Sequence, residues 1–242
     1  MSIADKLATI AENEPKVYEA GKQDGEQVGK QAEWEYFWDT FQLNGKRVSY
    51  NDSFGMGWTQ EIFRPKYDLK MNNAYAAFTN FSYDVPMNLK KALADAGVSL
   101  FFPNCINYSN LFRYSGVTEI GVLDFSTATR KNSNALFDQC TLLKSIDKIV
   151  LTNGQTSFSS WFASCTALEN LTIEGTIGAN GFNVQWSTKL THDSLMSIIN
   201  ALEDKSADTS GTIWTVTIGS TNYEKLTGEE IAMAENKGWE LI

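Results

Sequence analysis

Few residues in this sequence have the type and setting for chemistry. The single histidine, His192, is followed by Asp193 and Ser194. The trio has the composition of a nucleophile–base–acid relay, but such relays are assembled from distant segments, because three consecutive side chains diverge. The reading is a solvated histidine in the first turn of a helix. Cys105, Cys140 and Cys165 have no C-x-x-C partner and His192 has no second histidine near it, so zinc-ligand spacing is missing. The stretch NDSFGMGWTQE at 51–61 offers Asn51, Asp52 and Glu61, but not the alternating oxygen ligands of a calcium loop. Gly175, Gly178 and Gly181 do not make a G-x-G-x-x-G phosphate loop and follow a strand-like run, so they read as turn glycines. A glycosidase would need two carboxylates facing across a groove. With 29 acidic residues, the sequence singles out no such pair. No catalytic, cofactor-binding or metal-binding residue is therefore assigned, no cofactor is expected, and the chain reads as a non-enzyme.

The cysteines carry a different message. Residues 137–146 are FDQCTLLKSI and residues 162–171 are FASCTALENL. Phe137, Cys140 and Leu143 return 25 positions later as Phe162, Cys165 and Leu168. Phe112 lies another 25 positions earlier, in the degenerate copy FRYSGVTEI, with Ser115 in place of the cysteine. Phe54 and Phe78, 24 apart, read as two weaker copies. A fixed period of this length marks a stacked repeat, in which each layer buries its apolar residues against the next. Phe112, Phe137, Cys140, Leu143, Phe162, Cys165 and Leu168 are the expected repeat core, with the thiols as small buried hydrophobes.

The elements that must position these residues follow from local signals. IDKIVL at 146–151 and LENLTIEG at 168–175 read as short strands stacking into one sheet. An inserted helix is expected before Phe112, capped by Asp84, with Pro86 near its first turn, Leu89, Ala92, Leu93 and Ala96 on one face, and Gly97 as terminator. A helix is expected over 191–204 with Leu195, Ile198, Ile199 and Leu202 inward. A strand over 213–219, a helix ending at Gly238 and a last strand at WELI complete a cap. The fold class is α/β: a short leucine-rich-repeat-like solenoid over 42–190 with inserted and capping helices, the cap being 191–242.

Ahead of it, 1–41 reads as a helical stalk. Ile3, Leu7, Ile10, Glu14, Val17, Gly21, Asp24 and Val28 step by alternating fours and threes, a heptad seam. Ile3, Leu7, Ile10, Val17 and Val28 are the expected oligomerisation residues. Leu at a with Ile at d favours trimers or tetramers. Pro15 interrupts the helix, and Gly21, Gly25 and Gly29 form a flat stripe or a loosely helical linker. Trp34, Phe37, Trp38 and Phe41 share one helical face, which packs on the body or stacks on carbohydrate.

The 242 residues carry a net charge of −9, which opposes nucleic acid and anionic membranes as partners. No apolar run approaches the roughly 20 residues of a membrane span, so no membrane insertion is expected. MSIADKLATIAENEP lacks the basic start and apolar run of a signal peptide, so any release is expected by another route, such as within a virion.

The unit F-x-x-C-x-x-L-x-x-I/L resembles the BspA-like branch of leucine-rich repeats, over 137–173 above all and faintly over 50–125. The start IADKLATIAENEPKVYEAGK, with FWDTFQLNG, resembles such repeat proteins in phages and prophages of gut Firmicutes. The resemblance implies binding rather than catalysis. It points to a phage virion structural protein of fibre or decoration type, located in the virion and trimerised through its own stalk. The stalk would also meet other virion proteins, and the repeats would be displayed to a host-surface glycan or protein. Two alternatives stay open: a bacterial surface adhesin, and a phage enzyme that degrades glycans. An outward aromatic would mark the binding face. Trp58, Trp161, Trp186 and Trp214 are candidates. Trp161 is preferred, because in an extended segment it would point opposite to the inward Phe162.

Overall fold

The computed structural model describes residues 69–71, 74–81, 85–129, 133–152 and 154–242. Over these the chain is mixed α/β, with parallel strands and few helices. The main sheet has four strands in the order β2 (Met87–Asn88), β4 (Val117–Asp124), β5 (Ser145–Val150) and β6 (Asn170–Glu174). All its pairs are parallel. The pair β1 (Leu69–Lys70) and β3 (Leu100–Phe101) brackets β2 in the chain, and the pair β7 (Trp214–Val216) and β8 (Trp239–Leu241) follows the main sheet.

The register fixes which side chains meet. Ile120 pairs with Ile146 and Ile146 with Leu171, while Leu123 pairs with Ile149 and Ile149 with Ile173. All of these are buried. Between them Val122, Asp147, Thr172 and Glu174 face solvent, the alternation expected of strands with one covered face. Lys90 pairs with Asp147 at 2.7 Å and Lys148 with Glu174 at 2.6 Å on the open face. Exposed pairs of this kind add little stability.

Between strands the chain turns back through a second, non-strand ladder. The rings of Phe78, Phe112, Phe137 and Phe162 stack at 5.0, 5.5 and 5.3 Å, with interplanar angles of 14°, 6° and 18°. Offset stacks at this spacing gain beyond their burial. Two left-handed residues flank each ring: Ala76 and Asn80, Asn110 and Tyr114, Ala135 and Gln139, Ser160 and Ser164. A left-handed non-glycine residue costs about 1–2 kcal/mol. The cost is offset because this conformation aims its N–H along the stack. Asn110 N–H donates to Asn134 O (2.9 Å), Phe112 to Leu136 O (2.8 Å) and Tyr114 to Asp138 O (2.8 Å). Ala135, Phe137 and Gln139 repeat the pattern to Ser159, Trp161 and Ala163, each at 2.8 Å.

The cysteines lie beneath the rings. Cys140 Sγ donates to Phe112 O at 2.8 Å and Cys165 Sγ to Phe137 O at 3.2 Å. Ser115 Oγ lies 3.4 Å from Cys140 Sγ, so the serine of the degenerate copy sits in the same column. Leu143 and Leu168 are buried with them.

The helices close the layers. α1 (Leu89–Ala96) is capped by Asn88, whose side chain accepts the Lys91 N–H, and is ended by Gly97 at φ +67°. Asn88 replaces Asp84 as the cap because Met87–Asn88 is drawn into the sheet beside Val117; Asp84 itself lies outside the described residues. α2 (His192–Ala201) starts at Thr191, whose side chain accepts the Ser194 N–H, and buries Leu195, Ile198 and Ile199. It stops short of residue 204 because Leu202 turns extended and bridges Ile177. α3 (Ser220–Tyr223) is a single turn. α4 (Gly228–Asn236) begins in a capping box between Thr227 and Glu230. Lys237 Nζ reaches back to Ile199 O (3.1 Å) and Asn200 O (2.9 Å), satisfying carbonyls at the end of α2. The 25-residue offset persists here without any Phe-x-x-Cys signal: Ile177 bridges Leu202, and Trp214 pairs with Trp239. One buried apolar cluster runs from Leu69 to Leu241. Among the described residues no helix is long and apolar enough to cross a membrane.

Candidate binding cleft

The turn ladder stops at its fourth layer, that of Phe162. Ser160, Phe162 and Ser164 occupy the positions whose N–H groups bridged every earlier layer. Here those three N–H groups have no partner among the described residues. The next segment, 180–186, is diverted: Val184 N–H donates to Thr217 O (2.9 Å), and Phe182 O accepts from Thr217 N–H (3.1 Å). Phe182 accordingly leaves the stack and meets Phe162 tilted by 55°. The space opened between the two segments is a cleft of about 230 Å³.

Its walls are Ser157, Ser159, Ser160 and Ala163 on one side and Asn180, Gly181, Asn183 and Trp186 on the other. None is charged. Gly181 takes φ +97°, a backbone conformation that side-chain-bearing residues rarely adopt. Internal bonds hold the frame still. Asn180 Nδ2 donates to Ile213 O (3.0 Å) and its Oδ1 accepts from Thr215 N–H (2.7 Å). Asn183 Oδ1 accepts from Gln185 N–H at 3.0 Å. Four polar groups of the lining residues are unengaged: among the described residues the Ser159 and Ser160 hydroxyls, the Asn183 amide nitrogen and the Trp186 indole N–H have no partner. Trp186 is 56 % exposed, which is unusual for so large a ring.

Trp161 is not on this or any other surface. It is 1 % exposed, with Nε1 donating to Ser133 O at 2.8 Å and its ring edge-on to Phe158 and Tyr108. The expectation of an outward Trp161 fails because 158–164 is not extended. The left-handed Ser160 and Ser164 bend it into a turn, and alternation does not apply. The polar groups around it are satisfied: Tyr108 Oη donates to Gln155 Oε1 (2.7 Å), and Gln155 Nε2 donates to Ser133 Oγ (3.2 Å) and Ser157 O (2.7 Å). Trp214 is half-buried, with Nε1 on Asp208 Oδ2 at 2.6 Å and Lys205 Nζ 4.5 Å above the ring.

The other sequence candidates fall as follows. Phe112, Phe137, Cys140, Leu143, Phe162, Cys165 and Leu168 are all fully buried in one column. Ile3, Leu7, Ile10, Val17 and Val28, the aromatics at 34–41, Phe54, Trp58 and the 51–61 stretch lie outside the described residues. His192 sits in the first turn of α2, its Nε2 2.8 Å from Glu230 Oε1. Glu230 is held below the usual carboxylate range, first by the Thr227 N–H and also by His192. Asp193 is fully exposed with Oδ1 3.9 Å from His192 Nδ1, beyond hydrogen-bond distance, and Ser194 Oγ donates to Glu169 O (3.1 Å) rather than to the histidine, so no relay forms. A shallower depression carries Glu174 and Asp193, but Glu174 is tied to Lys148. Among the described residues no three of His, Cys, Asp and Glu gather to hold a metal ion.

Burial pushes the Cys140 thiol up to about 12, against the pull of Ser115, and pushes Cys165 well above the usual thiol range. Both stay protonated at pH 8 and out of reach. Native protein exposed to iodoacetamide at pH 8 is expected to retain unmodified Cys140 and Cys165 by mass spectrometry, whereas urea-unfolded protein alkylates fully.

No protein-family model, curated protein or solved structure matches the chain.

Proposed function

We propose that this chain is a non-enzymatic phage virion structural protein, of fibre or decoration type. It displays a short leucine-rich-repeat-like solenoid for binding to a host surface or a partner. The observation that carries the reading is the column of Phe112, Phe137 and Phe162 over Cys140 and Cys165, spaced 25 residues apart and bridged by main-chain bonds. The unit resembles the Phe-x-x-Cys unit of the BspA-like repeats, and in this reading each copy is one layer. Repeat arrays of this kind offer extended rigid surfaces rather than a catalytic pocket. The virion assignment draws on the resemblance of the N-terminal stretch to phage and prophage repeat proteins.

In this reading Ile3, Leu7, Ile10, Val17 and Val28 form the seam of a trimer, which multiplies weak surface contacts. Light scattering on the full chain and on a triple variant, Ile3→Asp, Leu7→Asp and Ile10→Asp, tests it. The expected mass is three times 27.0 kDa for the full chain and 27.0 kDa for the variant. A full chain that is already monomeric overturns the trimer and with it the multivalent display.

A further inference from the structure

We propose that the cleft at Trp186 is a subsite for a neutral saccharide. The inference rests on the reading of the body as a displayed binding module and names the ligand class it takes. Three features of the site converge. The first is the broken ladder. The N–H group of Ser160, a residue that lines the cleft, is a donor set by the same left-handed geometry as in the layers above, and nothing among the described residues accepts from it.

The second is the ring. The indole of Trp186 stands half out of the chain and lines the cleft together with Ser160. A pyranose has one face of C–H groups, which packs on an aromatic face, and a rim of hydroxyls, which need donors and acceptors together. The cleft supplies both: the Ser159 and Ser160 hydroxyls give either, and the Asn183 amide and the Trp186 N–H donate. The third is charge. No acidic or basic side chain lines the cleft, although the whole chain carries −9. A sialic or uronic acid would meet no cation there, and a phosphate none either. The rigid frame at Asn180 means the site is formed before the ligand arrives, which limits the ordering cost of binding.

The test is a printed array of neutral and acidic glycans probed with the full chain, with Trp186→Ala and with Asn183→Asp. The first variant removes an exposed ring. The second keeps an oxygen to accept the Gln185 N–H while replacing the free amide donor with a carboxylate. Both should melt like the parent. The expected result is binding confined to neutral glycans, weakened roughly tenfold or more by Trp186→Ala and also weakened by Asn183→Asp. Binding of acidic glycans in preference, binding unchanged by Trp186→Ala, or no glycan bound at all overturns the proposal. Retention of a protein partner through Trp186 with no glycan bound overturns it as well. The outcomes separate from those for the display reading: a trimer that binds no glycan loses only the saccharide, and a monomer that binds one through Trp186 loses only the trimer.

Discussion

Replacing Phe137 by alanine should cost about 3–5 kcal/mol of stability. Phe137 is the middle ring of the stack, 5.5 Å from Phe112 and 5.3 Å from Phe162, and it is fully buried. Its removal deletes both ring contacts and leaves a cavity that rigid neighbours cannot fill. Main-chain rungs fix Phe112 to the layer containing Phe137, and Phe137 to the layer containing Phe162, so the layers cannot slide together. A loss of this size is a large share of the roughly 5–15 kcal/mol that holds a domain folded. Phe182→Ala is the comparison, because Phe182 is equally buried but meets Phe158 and Phe162 at 69° and 55° instead of stacking, so it separates the cost of burial from that of the column. Urea denaturation followed by far-UV circular dichroism measures both. A Phe137→Ala cost below about 1.5 kcal/mol would mean that the column is not the main support of the body.

The second large effect is expected at the far edge of the main sheet. β6 presents the N–H groups of Leu171 and Ile173 where a further strand would pair. Ser194 Oγ accepts the first at 2.9 Å and Ser197 Oγ the second at 2.8 Å. Two serines one helical turn apart thus finish the edge that α2 covers. In Ser194→Ala with Ser197→Ala both donors lose their partner in a largely buried place, at about 1–3 kcal/mol each. The expected total is about 2–4 kcal/mol, with α2 loosened, since water reaches Ser197 in part. An uncovered parallel edge also pairs with other chains. Hydrogen exchange should quicken at Leu171 and Ile173, and sedimentation should show larger species appearing with concentration. Unchanged exchange at both amides would remove the serines from this role.

The parts that could be read from sequence share one property: their signal lies in side chains that repeat. Phe112, Phe137 and Phe162 keep type and spacing, so the column was legible, as were the strands at 145–150 and 170–174 beside it. The helix at 192–201 announced itself through Thr191 and the Leu195–Ile198–Ile199 stripe. The cleft was not legible, because backbone creates it. Asn110, Ala135 and Ser160 share one left-handed conformation, and no residue type common to them marks it. Without that turn, Trp161 looks like an outward residue. Trp186 was visible as a candidate, but the pairing of residues near 183 with Thr217, which opens the cleft beneath it, joins positions with no sequence motif between them. The offset joining Trp214 to Trp239 was present in the letters. It went unread because the C-terminal layers replace Phe-x-x-Cys with other apolar residues.

The rungs between turns join main chain to main chain, and this frees the side chains that stand on them. One geometric position is filled by Asn110, Ala135 and Ser160, and another by Tyr114, Gln139 and Ser164. Amide, methyl, hydroxyl and phenol all occur there on one backbone conformation. Such a face can drift in chemistry from one lineage to the next while its shape is inherited intact. Selection for a new target would then act on a handful of letters, with the scaffold already in place.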